Sequence, residues 1–183
     1  HALDRRQRQM CIRDRIQPLN PFFRYFAQHI AEQITRFPFA IIISLIFFIF
    51  NPQSIWLPSF SIFLLSCIAT FFSFLIQFLI QSIIACLCFW TEKASSIERL
   101  LFIPTLFLSG LLAPVISFPE YVKSWIYITP FPYLIDFPAN ILSGNNTNII
   151  SGFFMQIFWI SVLFPIFKRT WSLGTKKYTA MGS

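Results

Sequence analysis

Charge is what this sequence has least of. Only 11% of its 183 residues are Asp, Glu, Lys or Arg, against about a quarter in a typical soluble domain. From Phe37 to Thr91 there is none at all. About 20 apolar residues suffice to cross a bilayer as a helix, so this stretch alone holds more than one crossing. With 56% of the chain hydrophobic and 25 phenylalanines, a soluble core of this size has no room for the apolar surface. The composition specifies an all-α integral membrane protein.

Other scarcities exclude chemistry. The two histidines are His1 and His29, so no H-E-x-x-H zinc site exists. "SLGTKK" (172–177) lacks the first glycine and the spacing of a phosphate loop. Four cysteines occur, but Cys86 and Cys88 are two apart on a helix and face different ways, so neither a metal pair nor a redox C-x-x-C is indicated. No metal and no cofactor are expected, and the polypeptide is not expected to hydrolyse anything alone.

What is present can be placed in order along the chain. "HALDRRQRQMCIRDR" (1–15) carries five arginines and begins with His1. It resembles translated sequencing-adapter sequence and is set aside as a non-native leader, the alternative being a genuine basic tail. Residues 16–36 form an amphipathic segment. Asn20 and Pro21 suit an N-cap and a first helical position. Phe23, Phe26, Ala27, Ile30, Ile34 and Phe37 recur at helical spacing, with Arg24, Gln28, Glu32 and Arg36 opposite. Glu32 stands four residues before Arg36, the favourable order for a helical ion pair.

The transmembrane part, 37–183, divides at its prolines. "NPQSIWLPS" (51–59) separates a crossing at about 37–55 from one at about 58–88, with Trp56 placed as an interfacial aromatic. "TEKASSIER" (91–99) is a charged loop. A third crossing is expected at about 100–117, flexed by Pro104 and Pro114, and a fourth at about 149–167, followed by a basic tail. With the amphipathic segment in the cytoplasm, 13 of the 14 Lys and Arg fall on the inner side and only Lys123 outside, as the positive-inside rule requires. The net charge of +7 is thereby explained without nucleic acid, whose footprint would be a basic face on a folded domain.

Two features stand out. In the second crossing Ser66, Thr70, Ser73, Gln77, Gln81, Ala85 and Cys88 make a small-or-polar stripe. It reads either as a helix-packing face or, through Gln77 and Gln81, as a polar wall of a translocation path. The second feature is residues 118–148, too apolar for a solvated loop and too rich in proline for a crossing. Non-helical backbone at membrane depth persists only when buried in protein or lining a cavity. Two short helices that dip into the outer leaflet and return satisfy this, with Pro130, Pro132 and Pro138 at the bends, Gly144 capping the second, and Asp136 in the return. The alternative is an ordinary interfacial loop with Asp136 in water.

The S-G-x-x-x-P-x-x-x-F-P run from Ser109 to Pro119 and the P-F-x-Y-x-x-x-F-P run from Pro130 to Pro138 resemble the permease subunits of type-2 ATP-binding-cassette exporters. So do the last crossing and a tail reading W-x-x-G-x-x-x-Y-x-A-x-G (Trp171 to Gly182), and "IQPLNPFFRYFAQHIAEQI" resembles the family's cytoplasmic segment before the third crossing. The resemblance covers about residues 16 to 183. It implies six crossings, a re-entrant helix pair before the last, a second permease subunit in a homo- or heterodimer, and a separate ATPase subunit. This chain holds about four crossings, as the C-terminal part of such a six-helix permease would. The resemblance assigns coupling to the ATPase to the segment bearing Arg24, Glu32 and Arg36, otherwise a passive interfacial anchor. It makes Pro130, Pro132, Asp136, Pro138 and Gly144 an extracellular re-entrant gate. The expected location is the plasma membrane, in bacteria the inner membrane, with the C-terminus cytoplasmic and lipids as neighbours. Rival readings are a membrane-embedded lipid-modifying enzyme, which would need more acids, histidines or bases than Glu120, Lys123 and Asp136 at the outer interface, and a non-transporting membrane scaffold.

Overall fold

The computed structural model describes residues 21–54, 57–87, 90, 94–145 and 148–180. The expected N-cap Asn20 and the stripe residue Cys88 lie outside them. The chain divides into two units, residues 1–55 and 56–183.

The described part of the first unit is a single helix, α1, Pro21–Phe50, followed by a 3-10 turn at Pro52–Ser54. The expected change from surface helix to crossing at Phe37 produces no break, although Pro38 lies inside the helix. One proline costs one backbone hydrogen bond and tends to kink a helix, and apolar residues on both sides keep it going. By length and composition Phe26–Phe50 is apolar enough to cross a membrane, a stretch that overlaps the segment read as amphipathic. Phe37, Phe39, Ile43 and Ile49 are exposed, as side chains solvated by lipid are. Arg36 donates to Glu32, the pair its spacing predicts.

The second unit contains α2 (Phe60–Cys86), α3 (Ala94–Leu108), α4 (Glu120–Ile128), α5 (Asp136–Leu142) and α6 (Ile149–Ala180). α2 and α6 are both long and apolar enough to cross a membrane. Their relative direction follows from what each touches on the segment between them. Ser66 of α2 meets Pro138 and Ser73 meets Tyr133. On α6, Gly152 meets Phe137 and Gln156 meets Tyr133. Both helices therefore run from the level of Pro138 to the level of Tyr133, and are parallel there.

α3 is shorter than the crossing expected at 100–117. It ends at Leu108 because Gly110 takes up a left-handed conformation (φ 84°) and Pro114 follows, the usual pairing of residues past a helix end. Residues 109–117 continue as turns closing in a 3-10 turn at Val115–Ser117. α6 exceeds its expected span in the other direction. At 1.5 Å per residue its 32 residues reach about 48 Å. The segment read as a basic tail continues the helix to Ala180.

Candidate functional site

Between α3 and α6 the chain forms two short helices joined by a proline-rich turn. Pro119 precedes α4, whose first residue, Glu120, suits a helix N-terminus. Thr129 is extended (φ −83°, ψ 161°) because Pro130 follows it, and the chain turns through a 3-10 segment at Phe131–Tyr133. Pro138 falls in the first turn of α5, where a missing N–H leaves no intrahelical bond unmade. Gly144 (φ 71°) ends α5: its N–H donates to Ile141 O and that of Asn145 to Asn140 O. This is a Schellman cap, so the capping expected of Gly144 is what the backbone forms. Tyr133 ties the two helices together, its hydroxyl donating to Tyr127 O at 2.9 Å. Burial, and then the neighbouring Tyr127, push its pKa up to about 12, so it stays a neutral donor.

Asp136 opens α5 and is buried, with 7% of its surface exposed. Its backbone N–H donates to Ser109 O at 3.0 Å. Its carboxylate accepts from Val115 N–H at 3.2 Å and from Asn140 Nδ2 at 2.9 Å. Gly110 leaves the space, since a Cβ there would stand 3.0 Å from Asp136 Oδ1. Among the described residues no Lys or Arg pairs with it; Lys123 pairs with Glu120. Burial pushes the carboxyl up from its ordinary value, and the two hydrogen bonds offset part of that rise.

A second polar node lies on the other side of the same turn. Gln156 is completely buried, and its Nε2 lies 3.0 Å from Ala69 O, 3.1 Å from Ser73 Oγ and 3.1 Å from Tyr133 O. Ser73 Oγ is 2.7 Å from the same Tyr133 carbonyl, and Ser66 Oγ donates to Pro138 O. Small residues on α2 (Ser66, Ala69, Ser73) and Gly152 on α6 let this segment approach closely. Phe137 fills the gap, edge-to-face with Tyr133 and Phe153.

Of the expected gate residues, Pro132, Asp136 and Pro138 are buried, Asp136 against the turns at 109–115 and Pro138 against Ser66 of α2, while Pro130 is half-buried at the entry and Gly144 lies exposed at the exit. The stripe on α2 divides. Ser66 and Ser73 face the packed segment, whereas Gln77 and Gln81 are half-buried beside that face and make no hydrogen bond among the described residues. Glu32 and Arg36 stand exposed on α1; the Arg24 side chain lies outside what the structure describes. Gln156 escaped the sequence reading. Its signal was there: it is the single amide in the apolar run from Ile149 to Phe167.

Residues 14–182 match the family described as ABC-2 family transporter protein. No curated protein and no solved structure matches the chain. A match over nearly the whole length, on a helical chain whose long apolar helices suit several membrane passes, settles its affiliation: this chain belongs to the ABC-2 transporter family and is a multi-pass membrane permease of an ABC-type transporter.

Proposed function

We propose that this permease serves an ATP-driven exporter and that residues 118–148 form its re-entrant gate on the outer side of the plasma membrane, in bacteria the inner membrane. The observation that carries this reading is the seating of the proline-rich turn and α5 against two parallel helices, held at Asp136 from one side and at Tyr133 from the other. A polar turn sealed inside apolar helices is a closed state that can be opened. The family pairs such permeases with an ATPase subunit; the gate would move when that subunit hydrolyses ATP, within a dimer of permeases.

Parallel α2 and α6 also support the four-crossing topology. If both cross in the same direction, the chain between them must return once, and α3 with the turns at 109–117 is the element available for the return. About 22 Å of helix comes from the 15 residues of α3, and beyond it the turns at 109–117 fold around Asp136, where the return would end. The balance of Lys and Arg then puts the C-terminus in the cytoplasm. On α1, Arg24, Glu32 and Arg36 would meet the ATPase, and Gln77 and Gln81 would line the path.

Tagged chain purified from the native membrane tests the proposal. Retrieval of a separate ATP-hydrolysing subunit, with a cysteine at Asn146 labelled by an impermeant thiol reagent from outside and one at Lys176 only after permeabilisation, is the expected result. Labelling with the opposite sidedness, or a preparation with no ATP-hydrolysing partner, would overturn it.

A further inference from the structure

Three protons and three acceptors meet at the Gln156 node. The two amide protons and the Ser73 hydroxyl proton are shared among Ala69 O, Tyr133 O and Ser73 Oγ, all within 3.1 Å. Three oxygens around Nε2 fix which end of the amide points there. The other end, Oε1, is buried with no hydrogen-bond partner among the described residues. A buried acceptor without a donor loses its hydration and receives nothing in return, and at low dielectric that loss is larger. The node therefore holds the turn at Tyr133 firmly while carrying a cost of its own.

That combination distinguishes a releasable contact from a permanent staple. We propose that Gln156 is the positioning residue that sets the closed state of the re-entrant segment, and that its unpartnered Oε1 is what makes that state reversible. When Tyr133 withdraws from α2 and α6, water follows, and Oε1 gains the hydrogen bond it lacks when the segment is seated. The donors released from Tyr133 O turn to the same water. Opening thus costs less than the two hydrogen bonds lost at Tyr133 O. Ser73 works at the same carbonyl from the neighbouring helix. Asp136, on the far side of the turn, stays in its cradle of Ser109, Gly110 and Val115 and serves as the pivot. This inference rests on the gate reading above.

The test uses the complete transporter, permease with its ATPase subunit, in proteoliposomes. Native cysteines are replaced and a single cysteine is placed at Leu134, next to the clamped carbonyl; its labelling by an impermeant maleimide is followed in time. With Gln156 and Ser73 intact, labelling is slow. In Gln156→Leu it rises about tenfold, the factor a net loss of one buried hydrogen bond gives. Ser73→Ala, a smaller change that removes one donor to the same carbonyl, raises it less, and the double variant exceeds Gln156→Leu by less than the product of the two effects. Ser82→Ala, which alters a buried hydroxyl of α2 with no hydrogen-bond partner among the described residues, leaves the rate unchanged. Unchanged labelling in folded, inserted Gln156→Leu and Ser73→Ala overturns the clasp while leaving the gate reading intact. An equal rise in Ser82→Ala also overturns it, because the effect would then be general loosening. Fast labelling before any substitution at the node overturns the gate reading and the clasp with it.

Discussion

Gly152 cedes its side-chain space to Phe137: a Cβ on the glycine would stand 1.9 Å from Phe137 Cε2 and 2.3 Å from Cζ. The contact holds α5 against α6 by shape alone. Gly152→Ala must push the ring aside, disturbing its edge-to-face contacts with Tyr133 and Phe153, at a cost of about 1–3 kcal/mol. In thermal unfolding of the purified transporter, Gly152→Ala should lower the midpoint. Combining it with Phe137→Leu should recover part of the loss, because the smaller side chain vacates the space. A double variant whose loss equals the sum of the two single losses would show that the contact does not couple the helices.

Gly110 makes a second close approach, and here the backbone also matters. At φ 84° a side chain is strained, by about 1–2 kcal/mol, and a Cβ would come within 2.9 Å of Asp136 Cβ. Gly110→Ala should destabilise the protein more than Ala substitution at Leu111, an exposed neighbour. Equal midpoints for the two would contradict the cradle.

Asp136 should give stability a pH dependence of definite sign. Burial lifts its folded pKa above the ordinary 3.8, so the folded state holds the proton more tightly than the unfolded one. The stability it contributes is fully present below 3.8 and is lost as pH rises through the folded pKa. Asp136→Asn, which cannot ionise, should therefore gain relative to the native protein as pH is raised from 4 toward neutrality. Unfolding midpoints measured across that range check this, and parallel curves would refute it.

The path reading separates from packing at Gln77 and Gln81. Neither makes a hydrogen bond among the described residues, so Ala at both should leave stability within about 0.5 kcal/mol per site. Transport should nevertheless fall if they line the path. Unaltered transport by the double variant, measured with whatever substrate the purified complex is shown to move, would return this face to lipid or to a neighbouring helix.

Coupling through α1 predicts a different failure. Arg24→Ala with Glu32→Ala keeps the apolar face of the helix and should insert normally, yet retain less ATPase subunit on purification and lose export. Exposed pairs such as Glu32 with Arg36 contribute little stability, about 0–1 kcal/mol, so misfolding would not account for the loss. Wild-type retention and transport would move the coupling role to residues 91–99.

Membrane class, the helical character of the long runs and the turns of the 118–148 segment were legible in the sequence, because each depends on neighbours in the chain. Hydropathy over about 20 residues sets a crossing, a proline forbids its own N–H bond, and Gly144 can take a positive φ wherever the fold puts it. Gly110 obeys the same local rule and, with Pro114 beyond it, marks the end of α3 at Leu108.

Tertiary structure decided which polar residues matter. Ser66 and Ser73 share a stripe with Gln77 and Gln81 in the sequence, and only the approach of Tyr133 and Pro138 separates the packed pair from the half-buried one. Asp136 reads as a lone acid until Ser109 and Val115, more than twenty residues earlier, close around it. Gln156 gains its role from carbonyls 87 and 23 residues away. No local rule carries that information, since a hydrogen bond between distant segments is specified by where whole helices pack, and that is set by the summed fit of many side chains rather than by any short stretch.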